Sequence, residues 1–295
     1  MISKKRKIID NIAYICFFCA STAAIMITIS IFGFVVHQGI RPFLPGNIYG
    51  THSLVGFLAG TSWRPRFGMY GIGYMIASTL LATLGAVIVA VPISLGTAVF
   101  IAFYSPGWLG SLLKFLIECL VGIPSVFVGI FGFITLLPLI SAVSPYPHGE
   151  SLLAVVAILA VMSLPSMCLI MVNTFENASP YLKEASFALG ASKRQAIATV
   201  IIPASSPGIM TAVIIGSARA IGETMAVALV AGNREAGILK NPFQTVRLLT
   251  TNIVMEQSYA TELHAQLLWS TATVLLFFII IINIALKRIS KGATP

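Results

Sequence analysis

Polar residues interrupt this chain rarely, and the blocks between the interruptions are long. Apolar runs fall near 12–36, 72–103, 112–140, 151–175, 206–232 and 266–286. Each holds at least the ~20 residues that a helix needs to cross a bilayer. The pattern predicts an all-α integral membrane protein with six transmembrane helices, in which residues 1–11 form an N-terminal segment and 12–295 one transmembrane domain. The second and third runs exceed a single span, so tilt, an interfacial portion or a kink is expected there. Pro92 and Pro124 are the natural kink sites, because proline lacks the backbone N–H and clashes with the preceding turn.

One interruption differs from the rest. Residues 176–207, ENASPYLKEASFALGASKRQAIATVIIPASSP, form a long polar stretch between two apolar runs. Glu184 to Leu189 and Lys193 to Val200 are good helix formers. Gly190-Ala191-Ser192 between them permits a sharp turn where a side chain would obstruct the backbone. The prediction is two short helices joined at Gly190, and a plain connector of about 30 residues would be unusually long. Such an element suits docking into a cleft of a partner, whereas the bland alternative is an amphipathic surface loop.

Composition and charge then fix the class and the orientation. Hydrophobic residues make up 57% and charged residues 9% of the chain, against about 25% charged in a typical soluble domain. Mean hydropathy is +0.95. Lys4-Lys5-Arg6-Lys7 precede the first run, and Lys287, Arg288 and Lys291 follow the last. The positive-inside rule therefore puts both termini in the cytoplasm, and an even number of spans agrees. Lys114, Lys183, Lys193 and Arg194 join the inner set, while Arg41, Arg64, Arg66, Arg234, Lys240 and Arg247 lie outside. The net charge of +9 thus reflects orientation, and its dispersal argues against nucleic-acid binding. The first run lacks a small-residue cleavage site and reads as a retained helix.

Candidate chemistry is sparse. Cys16, Cys19, Cys119 and Cys168 all fall inside apolar runs, where reduced cysteine behaves as a small hydrophobe. His37, His52, His148 and His264 stand at isolated positions in expected outer loops, with no metal-ligand spacing. No phosphate-binding G-x-x-x-x-G-K-[ST] loop is present, so energy must come from another subunit, and no cofactor is expected. Neither a G-x-S-x-G elbow nor an H-E-x-x-H pair supports a membrane enzyme.

The fifth run contains Arg219 and Glu223, which is costly. A charge near the bilayer centre costs about 2.5–3.5 kcal/mol on insertion scales, so such residues usually face a bundle interior or an aqueous cavity. In a continuous helix residues four apart share a face and could pair. Two readings stand: the pair neutralises itself at a helix interface, or Arg219 offers its fork of donors to an oxyanion such as phosphate or sulfate. In the second, Glu223 steadies the arginine between transport events and accepts a hydrogen bond from a protonated oxyanion, with Thr224 beside them on the pathway. Glu118, near Lys114, is either a second pathway charge or a residue at the cytoplasmic boundary.

These stretches resemble a known family. Glu184-Ala185-Ser186, then Gly190, then Val200-Ile201-Ile202-Pro203 keep the spacing of the EAA motif of ABC importer permeases, with Ser186, Val200 and Ile202 as departures. Arg219-Ala-Ile-Gly-Glu-Thr-Met-Ala-Val227 with Gly232-Asn233 is similar to the fifth-helix signature of PstC-type permeases of bacterial phosphate importers. Gly60 to Pro65, Tyr70-Gly71 and Gly122 to Val126 are similar to further segments of that family, so the resemblance runs from about 57 to 233. It implies a type I ABC importer permease fold in the bacterial inner membrane. The implied partners are a second, PstA-like permease subunit, two ATP-binding ATPase subunits and an extracytoplasmic phosphate-binding protein. It also implies that Glu184, Ala185, Gly190, Lys193 and Pro203, within about 176–205, couple to the ATPases. An importer for another oxyanion, sulfate or molybdate, and a non-conducting sensor or scaffold for phosphate signalling are the alternatives.

Overall fold

In hydrocarbon every backbone polar group must be satisfied within its own segment, which leaves the helix as the solution for apolar runs of this length. A computed structural model describes residues 4–177 and 180–292. Residues 178 and 179 of the polar stretch, and the side chains of Lys4, Lys5, Arg6, Lys7 and Lys291 used above for orientation, lie outside what is described.

The first helix, α1, is Lys4–Ile40, and a short α2 (Leu54–Ala59) leads into an antiparallel two-stranded hairpin, β1 (Trp63–Arg64) and β2 (Met69–Tyr70), with Trp63 opposite Tyr70. Then come α3 (Gly73–Val99), α4 (Gly107–Val121), α5 (Ser125–Phe131), α6 (Leu137–Ser141) and α7 (Leu152–Glu176). The polar stretch forms α8 (Pro180–Ala188) and, beyond Gly190, one continuous helix over Lys193–Ala204, in which α9 (Lys193–Gln195) and α10 (Ile202–Ala204) are joined by a π-helical stretch, Ala196–Ile201. The chain finishes with α11 (Ser206–Gly222), α12 (Met225–Val230), α13 (Leu249–Glu256) and α14 (Glu262–Gly292).

Among the described residues four helices are long and apolar enough to cross a membrane unaided: Asp10–Phe43, Gly73–Tyr104, Leu152–Glu176 and Glu262–Arg288. The count reaches six if each of two bent pairs is one span. Gly107–Val121 meets Ser125–Ser141 at 96°, and Lys193–Ala204 meets Ser206–Gly222 at 65°. Pro124 therefore marks a full break, since its ring cannot continue the hydrogen-bond ladder of α4. Pro92 does not interrupt the helix, and α3 runs past it to Val99. The apolar run 206–232, expected as one span, also breaks: Glu223 (φ −68, ψ 128) and Thr224 (φ −123, ψ −56) leave helical geometry between α11 and α12.

The core lies between α3, α7 and α11. Ala82, Ala86 and Ala90, four residues apart, make a smooth ridge on α3 that seats against Val155, Ile158 and Leu159 of α7, with Ala220 of α11 beside them. Among the buried hydroxyls of this bundle, Ser78, Thr79 and Thr83 donate to the carbonyls four residues back at 2.8 Å, whereas Ser94 of α3 donates to the Leu164 carbonyl of α7 and Ser163 of α7 to the Gly216 carbonyl of α11, both at 3.3 Å. The N-terminal helix is peripheral. It packs on α14, where Ser270 donates to the Gly39 carbonyl (2.7 Å) and Thr273 to that of Val35 (3.0 Å), and from Ile12 to Phe34 it exposes many large apolar side chains.

Candidate functional site

Both helix breaks flank Arg219. Its side chain, in the last turn of α11, borders a recess of ≈ 60 Å³ lined by Leu120 and Ile123 at the first break, Val128 of α5, and Val161, Met162 and Pro165 of α7. Half-helices α5 and α12 cross closely here, because Gly129 lets the backbone of Ala226 come so near that a methyl group on Gly129 would lie 2.7 Å from Ala226 Cα. Among the described residues Arg219 has no carboxylate within 4.0 Å. The expected Arg219–Glu223 pair does not form, because the one-face argument needs a helix that continues to 223 and this one stops at Gly222. Glu223 instead caps the next helix: its Oε1 accepts from the backbone N–H of Thr224 (3.1 Å) and of Ala226 (3.4 Å). Its second oxygen has no hydrogen bond among the described residues. Thr224 donates its hydroxyl to the Gly222 carbonyl at 3.0 Å, which closes the turn.

The polar stretch folds as two short helices about Gly190. Its φ of +81 lies in the left-handed region, where a side chain is strained. Gly190 N donates to Phe187 O (2.9 Å) and Ala191 N to Ser186 O (3.0 Å), so the last carbonyls of α8 are satisfied by the turn itself. Ser192 then opens α9 with a reciprocal cap, its Oγ accepting from Gln195 N while Gln195 Oε1 accepts from Ser192 N at 2.9 Å. Glu184, Ala185 and Lys193 are exposed, and Lys193 Nζ sits 4.7 Å from the ring centre of Tyr104 at the end of the α3 span. Pro203 lies in α10 directly after the π-helical stretch Ala196–Ile201, and the helix ends one residue beyond it at Ala204. Ser186, a departure from the motif, is buried and donates to Leu182 O at 2.6 Å. Lys114 pairs with Glu176 (2.7 Å) and ties α4 to the end of α7, while Glu118 is exposed.

A third constellation was not legible as a site from sequence. Arg247, Glu256 and His264 are 6%, 5% and 8% exposed and lie together at the opposite end of the bundle from Gly190. Arg247 Nη1 donates to Glu256 Oε1 (2.9 Å) and Asn252 Oδ1 (3.1 Å), and His264 Nε2 is 3.2 Å from Glu256 Oε2. Burial alone would raise the pKa of Glu256. The His264 contact and the Arg247 charge outweigh it and hold the carboxyl below its ordinary range. Glu256, His264 and Tyr259 wall an open cavity of ≈ 610 Å³ with Arg64, Arg66 and Glu235 on its rim. The spacing of Asn252 and Glu256, one helical turn apart and both facing Arg247, is the signal that could have revealed it.

The comparisons with known proteins agree with this architecture. Residues 90–294 match the family described as "Binding-protein-dependent transport system inner membrane component". A probable ABC transporter permease protein, YqgH, of Bacillus subtilis is 34% identical over 91% of this chain and 85% of its own length. The phosphate transport system permease protein PstC of Xylella fastidiosa is 30% identical over 80% of each chain. PstC 1 of Mycobacterium bovis is 31% identical over 85% of this chain and 81% of its own. Among solved structures, the inward-facing MetNI methionine ABC transporter superposes with a TM-score of 0.61 at 20% identity, covering 79% of this chain and all of that one. The fold is that of a type I ABC importer permease, with several apolar helices that make it a multi-pass membrane protein. On sequence match, span pattern and fold alike, the chain belongs to the family of binding-protein-dependent transport system inner membrane components.

Proposed function

We propose that this chain is the transmembrane permease subunit of an ATP-driven importer of inorganic phosphate, and that Arg219 meets the anion on its path. The observation that carries the reading is an arginine at two helix breaks with no carboxylate within 4.0 Å among the described residues. A guanidinium left that way in an apolar recess is unfavourable unless an anion completes it, and its planar fork matches two oxygens of a tetrahedral oxyanion. Discontinuous helices near the bilayer midplane are the usual place for a transporter's substrate site. The free oxygen of Glu223 adds selectivity: it can accept the P–OH of hydrogenphosphate, whereas sulfate at neutral pH has no such proton. Thr224 holds the turn that presents both. The PstC names of the relatives point to the same substrate.

The rest of the assembly follows the same reading. A second, PstA-like permease completes the pathway and covers exposed apolar surface of this chain. Two ATPase subunits seat the turn at Gly190 through Glu184, Ala185 and Lys193, with Pro203 fixing where the segment re-enters the bundle. An extracytoplasmic phosphate-binding protein delivers substrate at the other side. Both termini are cytoplasmic, in the bacterial inner membrane, with residues 1–11 as a cytoplasmic segment and 12–295 as the permease domain whose coupling segment spans about 176–205. Radiolabelled phosphate uptake into vesicles holding the whole complex tests the substrate. Uptake that needs both ATP and the binding protein and is not competed by sulfate or molybdate is expected, and transport of either competitor in its place overturns the phosphate reading.

A further inference from the structure

We infer that α13 is a brace for the half-helix α12, and that Thr250, Arg247 and Glu256 are positioning residues for transport because they fix the break at Glu223–Thr224. The inference rests on the reading of that break as part of the anion's path. A helix of six residues cannot hold its own shape, since nucleation costs more than so few hydrogen bonds return. Something outside α12 must fix it.

Both its ends are tied to one short segment. At the start, Thr250 Oγ1 donates to the carbonyl of Glu223 at 3.2 Å. Beyond the end, Arg247 Nε donates to the carbonyl of Asn233 at 3.2 Å, where the chain turns with a φ of +47, and Val246 N donates to the Ala231 carbonyl at 2.8 Å. The segment that makes these ties is itself anchored to two long helices. Leu249 N donates to Thr79 Oγ1 of α3 (3.1 Å), and Glu256, which accepts from Arg247 (2.9 Å), packs with its second oxygen 3.2 Å from His264 Nε2 in the first turn of α14. A buried ion cluster is a poor way to gain stability, because apolar side chains of the same volume usually do as well. What apolar packing lacks is direction. Hydrogen bonds aimed at the carbonyls before and after α12 set where that helix begins and how it is turned, and the buried ions hold the donors in place.

Backbone hydrogen exchange across residues 222–230 tests the brace in the complete importer, held in lipid nanodiscs without substrate. Thr250→Val keeps the shape and removes the donor, so exchange there is expected to be about 2- to 10-fold faster, the range that one neutral hydrogen bond supports. Thr250→Ser keeps the hydroxyl and should exchange like the parent. Combining Thr250→Val with Glu256→Gln should accelerate exchange by less than the product of the two single effects, as expected for residues acting through one element. Transport per ATP hydrolysed should fall in Thr250→Val and persist in Thr250→Ser. If Glu256→Gln does not assemble, the Thr250 pair decides alone. Parental exchange in Thr250→Val, equal acceleration in both Thr250 variants, or faster exchange with undiminished transport overturns the inference. Should the importer carry another oxyanion, phosphate uptake is missing from the parent as well, while the exchange difference remains and still supports the brace.

Discussion

Adding a single methyl group at Gly129 should unsettle the crossing of α5 and α12. The new Cβ would lie 2.7 Å from Ala226 Cα, about 0.7 Å short of the 3.4 Å at which ordinary contact begins, and 2.8 Å from Leu229 Cδ1. The two contacts differ in kind. Leu229 can swing its side-chain end away, whereas Ala226 Cα is backbone, so the half-helices themselves must separate. Overpacking of this sort costs about 1–3 kcal/mol. At about 2–4 °C per kcal/mol, the figure for chains of 150–250 residues, Gly129→Ala lowers the melting point of the purified complex by roughly 2–12 °C. Uptake falls with it, since the separation opens the two breaks beside Arg219. Leu229→Ala in the same background recovers little, because it relieves the contact that was already able to yield. Thermal unfolding in detergent, with vesicle uptake beside it, reads both effects. A Gly129→Ala protein with parental melting and uptake would refute the close crossing, and full rescue by Leu229→Ala would refute the assignment of the clash to backbone.

Glu256→Leu strands Arg247 in the interior and should cost about 3–5 kcal/mol, whereas pairing it with Arg247→Met recovers most of the loss in a denaturation curve. The pH dependence has a definite sign. Because the folded carboxyl of Glu256 titrates below its ordinary 4.5, its contribution is present above that value and disappears as pH falls through the depressed one, so the parent loses melting temperature on acidification more steeply than Glu256→Gln. At Gly190, where a side chain meets nothing within 4 Å but φ is +81, Gly190→Trp should assemble in the membrane yet fail to retain the ATPase in a pull-down. Gly190→Asn, which tolerates the left-handed region, should keep it, and retention by both would remove Gly190 from the coupling role. Cysteine replacing Lys193 should react with an impermeant maleimide only from the cytoplasm, and one replacing His148 only from outside, with the reverse pattern refuting the orientation.

Most of the helical plan was legible because it is written in run length, which depends on bilayer thickness and little else. The bend at Pro124 announced itself, although Pro92 carries the same signal and α3 runs past it to Val99. The break at Glu223–Thr224 did not, because Gly222, Glu223 and Thr224 sit in an otherwise apolar run and nothing in their local preferences forbids a continuing helix. A local contact and a tertiary one fix it together, namely the Glu223 cap on α12 and the Thr250 bond to the Glu223 carbonyl. The i,i+4 argument for an Arg219–Glu223 pair failed with it, and among the described residues Arg219 has no carboxylate within 4.0 Å. Gly190 was read from its neighbours correctly as a turn between two helices. Arg247, Glu256 and His264 escaped notice because each is one polar residue among several in a stretch expected to form outer helices or loops, and only folding brings the α13 segment and α14 together around them.

The central claim is that Arg219 serves the anion and not the architecture. ATP-driven phosphate uptake by vesicles containing Arg219→Met, measured beside complex assembly and ATP hydrolysis, tests it most directly. Since no carboxylate lies within 4.0 Å of Arg219 among the described residues, removing it strands no buried charge, and assembly and hydrolysis should persist. Uptake should fall by about 10- to 100-fold, the worth of one hydrogen bond to a charged group, and Arg219→Lys should restore it only in part because a point charge cannot reproduce the fork. An Arg219→Met importer that assembles, hydrolyses ATP and carries phosphate at the parental rate would contradict the account.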